Sequence, residues 1–338
     1  MNDRDLSAVD AGLSATGLGC MALSGFYGPA SETQGIRTIS TALDAGVNLL
    51  DTGDLYGMGH NELLIREALK HYRREEVFIA VKFGAQRSPD GGFVGIDCSP
   101  AAVKNSLAHT LTRLGTDYVD LYQPARIDPT VPIEETVGAI AEMKERGHVR
   151  TIGLSEAGVD TLHRAHREHP VAWLQIEYSL LSRGIEDDIL PACRDLGVAI
   201  SAYGVLARGL LSGRWSRSRE LDGADFRSRL PRFQSGNLDT NLALVQALER
   251  IASERGCTTG QLAIAWVRAQ GEDILPLIGA RDPERLAESL QGAALRLTPE
   301  ELERIDAAVP KGAAAGNRYD AEQMAILDSE RSGDTPPE

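Results

Sequence analysis

Short runs of branched and aromatic residues alternate with longer amphipathic stretches from about residue 17 to residue 290. A parallel strand covered by helices is apolar on both faces, while each covering helix shows apolar residues every three to four positions. Eight runs fit the first pattern: GLGCMAL from Gly17, NLLDTG from Asn48, VFIAVKFG from Val77, VDLYQPAR from Val119, VRTIGLSE from Val149, WLQIEYS from Trp173, VAISAYGV from Val198 and DILPLIG from Asp273. The stretches between them have readable helix starts. Ser31-Glu32-Thr33-Gln34 has the spacing of a capping box, and Ser99-Pro100 and Asp282-Pro283 each put a cap before a first-turn proline. After Ser99, Val103, Leu107, Leu111 and Leu114 form one apolar stripe. Eight strands with eight following helices predict an α/β fold, a closed (β/α)8 TIM barrel rather than a doubly wound open sheet. No linker-like shift in composition divides the chain, so one domain is expected over 1–338, with the barrel core at about 17–308. Thr298-Pro299-Glu300-Glu301 starts a helix outside the eight units. The tail over 309–338 is expected to wrap the surface or fray.

Composition narrows the partners. The 338 residues are 42% hydrophobic and 25% charged, ordinary globular usage that excludes disordered and collagen-like readings. Lys and Arg number 35 against 49 Asp and Glu, a formal charge of −14, which argues against nucleic acid and anionic membrane surfaces as partners. No apolar stretch approaches the roughly 18 residues of a membrane helix, and the opening MNDRDLSAVD lacks a signal peptide's basic and apolar regions, so a cytoplasmic protein is expected, as a monomer or small homo-oligomer. Cys20, Cys98, Cys193 and Cys257 lie far apart without CxxC pairing and read as reduced thiols.

In a TIM barrel, reacting groups come from the C-terminal ends of the strands. Here those ends carry Asp51 with Tyr56, then Lys82, Gln123 to Arg126, Ser155-Glu156, Gln175 with Glu177, Tyr203-Gly204 and Gly279-Ala280-Arg281. Lys82 follows the apolar run VFIAV, where an unpaired ammonium is costly, so a carboxylate partner is expected and Asp51 is placed for it. A Lys⁺ beside Tyr56 lowers a phenol pKa and suits it to donate a proton. The residues alone equally allow a structural Asp51–Lys82 pair with Tyr56 packed on it. Other signals lead away from chemistry. Gly17-Leu18-Gly19-Cys20-Met21-Ala22 resembles a dinucleotide fingerprint, but the following Ser-Gly-Phe-Tyr-Gly-Pro run cannot continue as the required helix. His163, His166 and His169 suit a solvated helix face, and no metal is expected. Trp215, Phe226 and Phe233 lie in the longest non-periodic stretch, Leu206 to Asn237, which is expected to be a functional loop that they line or pin to the barrel.

Taken in order, GLGCM, DTGDLYG, VKFG, DLYQPAR, GLSE, QIEYSLL and AYGVLARGLLSGR resemble the signature blocks of the aldo-keto reductase superfamily, in its bacterial general aldo/keto reductase branch, from about Gly17 to Leu290. The resemblance implies a (β/α)8 barrel that binds NADPH without a Rossmann fold and reduces an aldehyde or ketone. On that implication Tyr56 is the general acid, Lys82 lowers its pKa and Asp51 anchors Lys82. The family's histidine at the end of the fourth strand is Ala125 here, which has no donor for the substrate carbonyl. Either Arg126 or a water supplies one, or the vacated volume admits a bulkier substrate, or the protein is a weak reductase kept for cofactor-linked binding. The second is the working expectation, with Tyr27, Tyr56, Ala125 and Arg126 lining the substrate pocket.

The resemblance also implies a cofactor site. Ser155 and Gln175 would hold the nicotinamide carboxamide, Tyr203 would stack on the ring, and Met21 and Asp51 would line it. Gly204, Leu206, Arg208, Gly209, Leu210, Ser212 and Arg214 resemble the loop that crosses the pyrophosphate. Gly279, Arg281, Arg285 and Ser289 resemble the adenosine-phosphate site, where a helix N-terminus with two arginines suits a 2′-phosphate and hence NADPH over NADH. Glu156 and Ser289 stand where the family often has Asn. The second reading, from another class, is a cofactor-binding auxiliary protein with vestigial catalysis.

Overall fold

The computed structural model describes residues 12–331 apart from 220, 222 and 224. Eight parallel strands close into a barrel: β1 (Gly17–Gly19), β2 (Leu49–Gly53), β3 (Phe78–Phe83), β4 (Val119–Pro124), β5 (Val149–Ser155), β6 (Trp173–Glu177), β7 (Ala199–Tyr203) and β8 (Ile274–Gly279). Each strand pairs with its sequence neighbours and β1 closes on β8, with Gly17 opposite Leu277 and Leu18 opposite Leu50. Gly17 is required at the closure. A Cβ there would lie 2.6 Å from Leu49 and 2.7 Å from Leu277.

Alternation along the strands sorts side chains into two cores. Leu49, Ala80, Leu121, Trp173, Ala199, Leu275 and Leu277 point inward and fill the barrel floor. Their neighbours, among them Leu50, Ile79, Val81, Tyr122, Leu174 and Ile200, point outward into the layer shared with the helices. One further inward step up β2 to β7 brings Asp51, Lys82, Gln123, Ser155, Gln175 and Ser201 above the floor, all buried. Period-two geometry therefore places a polar layer on an apolar plug at the end of the barrel where the strands finish.

The surrounding helices are α1 (Glu32–Asp44), α2 (His60–Ala68), α3 (Pro100–Leu114), α4 (Ile133–Glu145), α5 (Val159–Glu168), α6 (Ile189–Leu196), α7 (Ser235–Arg255), α8 (Thr259–Ala269), α9 (Pro283–Ala294), α10 (Pro299–Ala308) and α11 (Ala321–Ala325). The expected caps form: Ser31, Ser99 and Asp282 accept from backbone N–H groups of the first turns, and Thr298 and Glu301 make a full capping box on α10. Three features differ from the sequence expectation. The first strand ends at Gly19, and Cys20–Ser24 turn into a 3₁₀ helix that stops at Gly25, with φ 86°. A hairpin of Ala85–Arg87 and Phe93–Ile96 follows β3, turning through Pro89-Asp90-Gly91-Gly92. The connection from β7 to β8 holds two helices, since the long loop runs into α7 before α8 packs on the barrel. The tail also departs from a surface wrap: Arg318 and Tyr319 are buried at the barrel mouth.

Candidate active site

Lys82 and Asp51 face each other across the strand ends, with the ammonium 2.7 and 2.8 Å from the two carboxylate oxygens. Each is only 4% exposed, so neither charge is tolerable without the other. Gln175 Nε2 donates to the same carboxylate at 2.6 Å, which completes its hydrogen bonding. Tyr56 follows β2 in a tight turn whose N–H bonds back to Gly53. Gly57, Met58 and Gly59 all have positive φ, and a Cβ at Gly59 would meet the Arg113 side chain at 2.6 Å. Asn61 ties this turn to β2 through Thr52 and to the 3₁₀ helix after β1 through the Cys20 carbonyl and the Ser24 hydroxyl. The turn holds the Tyr56 ring 5.1 Å from the Lys82 ammonium and edge-on to Phe26 at 5.5 Å.

The electrostatics of Tyr56 correct one expectation. Burial pushes the phenol well above its usual range and the Asp51 charge pushes the same way, while the cation pulling it down is Arg126. Both Asp51 oxygens lie on the Lys82 ammonium, so the carboxylate offsets at the phenol much of the field that Lys82 would exert alone. Tyr56 is thus held as the neutral, proton-bearing phenol.

Ala125 is buried, its N–H bonded to Phe83 O at 2.7 Å and its carbonyl accepting from Arg126 Nη1 at 2.6 Å. Above it the tail closes in. Arg318 grips Glu156 through both carboxylate oxygens at 2.8 and 2.5 Å, with Ser329 and the Tyr203 hydroxyl adding bonds at 2.6 and 2.7 Å. Glu156 has φ 56°, a left-handed conformation that this network holds in place. Burial raises the Glu156 carboxyl, yet the Arg318 charge and its hydrogen bonds outweigh that and hold it down at about 2. Tyr319 lies under the Arg208 guanidinium at 4.6 Å, its hydroxyl 2.9 Å from that of Tyr203 and 3.4 Å from Arg126 Nη2.

Other expected cofactor residues gather around this mouth. Ser155 Oγ and Ser201 Oγ are buried without a partner among the described residues, as are both polar atoms of the Gln123 side chain. Buried polar groups left open in this way suit a bound polar molecule. Arg208 and Gly209 turn the loop after β7 through φ values of 56° and 98°, with Leu206 partly buried, Leu210 buried and the Ser212 hydroxyl bonded to Gly209 O. Arg281 reaches the Tyr27 carbonyl at 2.9 Å, tying β8 to the pocket wall beside Gly279. Arg227 lies over Tyr27 and Trp215, while Trp215 packs at a tilt against Phe233, so two of the loop aromatics pin the loop and Phe226 faces Tyr319. Partial burial and the charges of Arg227, Arg285 and Arg281 hold Arg219 below the usual arginine range. Arg214 and Arg285 sit nearer the surface, on Glu288 and Asp282. Met21 and Ser289 are partly buried, and Gly204 abuts Glu177.

A profile of the Aldo/keto reductase family matches residues 15–310. The chain belongs to that family. It is 42% identical over 310 residues to the probable aldo-keto reductase 1 of Glycine max, covering 91% of this chain and 88% of the relative. Among solved structures, the glycerol dehydrogenase from Gluconobacter oxydans superposes with a TM-score of 0.83 at 31% identity, over 92% of this chain and 95% of the other. An aldo/keto reductase from Klebsiella pneumoniae, solved in complex with NADP and acetate, superposes with a TM-score of 0.70 at 26% identity, over 91% and 95%. This aldo/keto reductase is therefore an oxidoreductase built on the expected barrel.

The structure brings Asp51, Tyr56 and Lys82 together at the strand ends where the sequence placed them, and puts Gln175, expected beside Ser155, on the Asp51 carboxylate. Sequence reasoning missed Arg318 and Tyr319, and it missed Arg219 and Arg227 in the long loop. One signal was available for Arg318: Glu156 ends an apolar strand run, where a buried carboxylate calls for a cation, and Asn317-Arg318-Tyr319 interrupts an otherwise Ala- and Gly-rich tail.

Proposed function

We propose that this aldo/keto reductase reduces an aldehyde or ketone to the alcohol with NADPH, Tyr56 supplying the proton. The observation that carries the reading is the buried Asp51–Lys82 pair set beneath a neutral Tyr56 phenol at the strand ends. The reduced nicotinamide, when bound, supplies the hydride to the carbonyl carbon. The rest of the work falls to the chain. Tyr56 gives its hydroxyl proton to the carbonyl oxygen as negative charge develops there. Asp51 holds the Lys82 side chain beneath the Tyr56 ring, and Gln175 holds Asp51. The unpartnered Ser155 hydroxyl would hold the carboxamide, with Gln175 beside it, and Tyr203 would support the ring. Arg208 and Arg227 are paired with Glu177 and Asp225, so Arg219 and Arg281 are the surplus cations that offer donors for phosphate groups and favour NADPH over NADH.

Ala125 favours a second reading, since it offers no donor where the family has histidine: a cofactor-binding auxiliary protein with weak turnover. A panel of aromatic and aliphatic aldehydes and ketones, followed by loss of NADPH absorbance, separates the two. Turnover of at least one carbonyl, faster with NADPH than with NADH, is expected. Tight NADPH binding with no turnover anywhere in the panel would replace the enzyme reading with the auxiliary one.

A further inference from the structure

Arg126 is set apart from the other arginines of the barrel mouth. Arg208 and Arg232 share Glu177 at 3.3 Å each, and Arg318 has Glu156 at 2.5 Å and Glu330 at 2.8 Å. Among the described residues, Arg126 donates only to neutral oxygens, the Ala125 carbonyl at 2.6 Å and the Tyr319 hydroxyl at 3.4 Å. A guanidinium carries five N–H donors, so most of its hydrogen-bonding capacity is uncommitted. Four arginines thus meet three carboxylates, leaving one positive charge in surplus inside a protein of net charge −14. Removing such a group partly from water without an anion costs free energy that an anionic ligand would return.

The place of that surplus charge is specific. Arg126 directly follows Ala125 at the end of β4, and it is the strongest of the cations acting on the Tyr56 phenol. Its surroundings are Tyr319, Tyr203, Glu156 and Arg318, distinct from the loop arginines Arg219, Arg227, Arg281 and Arg285. Tyr319 stiffens the arrangement, because its ring packs under Arg208 while its hydroxyl is steadied by Tyr203.

We propose that Arg126, with the Tyr319 hydroxyl beside it, anchors an oxyanion carried by the carbonyl substrate, so that carboxylate- or phosphate-bearing aldehydes and ketones are preferred over neutral ones. The proposal rests on the assignment of Tyr56 and the surrounding pocket as the site of carbonyl reduction. A planar fork with free donors suits either oxyanion, and Tyr319, whose hydroxyl accepts from Arg126 while its proton goes to Tyr203, holds that fork in place.

The test uses the full-length protein loaded with NADP⁺. Benzoate and phenyl phosphate are titrated calorimetrically into wild type, Arg126→Met and Arg126→Lys, and kcat/KM for para-carboxybenzaldehyde is compared with that for its methyl ester. Arg126→Met should weaken the tighter-binding anion by about tenfold or more, with Arg126→Lys in between, as expected for loss of a charge-assisted hydrogen bond. The acid-to-ester ratio of kcat/KM should exceed one in wild type and collapse in Arg126→Met, mainly through KM. Whichever of the two anions binds more tightly identifies carboxylate or phosphate as the group recognised. Equal anion affinity in wild type and Arg126→Met, or a parallel loss of NADPH affinity in that variant, overturns the proposal. Loss of anion affinity in a protein that turns over no carbonyl would leave the anchor standing and remove the reductase reading instead.

Discussion

At the scale of single residues, the site shows how one charge can be present and yet be largely offset where it was expected to act. Lys82 sits beside Tyr56, but its ammonium lies on Asp51, so burial decides the state of the phenol. A phenol pushed well above its usual range keeps its proton through neutral pH and beyond. Carbonyl reduction, which needs the protonated form, should therefore stay level from about pH 6 to about pH 9, whereas alcohol oxidation, which needs the phenolate, should rise with pH over the same window. Initial rates in both directions across that range check the sign. A reduction rate that falls with a midpoint near neutrality, absent from Tyr56→Phe, would show an acidic phenol instead. Asp51, Lys82 and Tyr56 were legible in the sequence because each follows a strand run at the position where a barrel exposes its chemistry. The direction of the Tyr56 shift was not, since spacing shows that charges are neighbours and not how far they offset one another.

At the scale of elements, the strands were legible because parallel strands covered on both faces have few ways to be written. The polar layer follows from the same alternation: Leu49 and Asp51, Ala80 and Lys82, Leu121 and Gln123, Trp173 and Gln175 each stand two residues apart on one face. The tail was not legible, because Arg318 acts through a contact with Glu156 across 162 residues of chain that no local pattern encodes. That contact makes the tail part of the mouth. Glu156 has a folded pKa of about 2 against an ordinary 4.5, so its contribution is complete above about pH 5 and is lost as pH falls toward 2. Glu156→Gln should therefore lower the unfolding free energy by roughly 3 kcal/mol at neutral pH, with the gap narrowing in acid. Urea unfolding of both proteins at about pH 7 and about pH 3.5 tests this, and a gap of constant size would contradict it. Arg318→Met removes the cation and strands the carboxylate, and should destabilise at neutral pH by roughly 3 to 5 kcal/mol.

At the scale of the whole molecule, an acidic protein that binds a polyanionic cofactor must concentrate its cations. Arg208, Arg219, Arg227, Arg281 and Arg285 lie along the loop after β7 and the end of β8, while the chain as a whole carries −14. Attraction of this local kind is screened by salt. The KM for NADPH should rise by roughly tenfold between about 50 and about 300 mM salt, and Arg219→Met with Arg281→Met should flatten that rise and reduce the preference over NADH. A salt-independent KM would place the phosphates elsewhere.

Among all these expectations, the proton donor is the one on which the reaction turns. Stopped-flow oxidation of bound NADPH by a saturating carbonyl, in wild type and Tyr56→Phe, isolates that step from cofactor binding. NADPH should bind both proteins with similar affinity, and the single-turnover rate should fall by roughly 10² to 10⁴ in the variant. A rate within a few-fold of wild type would mean that the proton comes from another group and that Tyr56 only packs over Lys82.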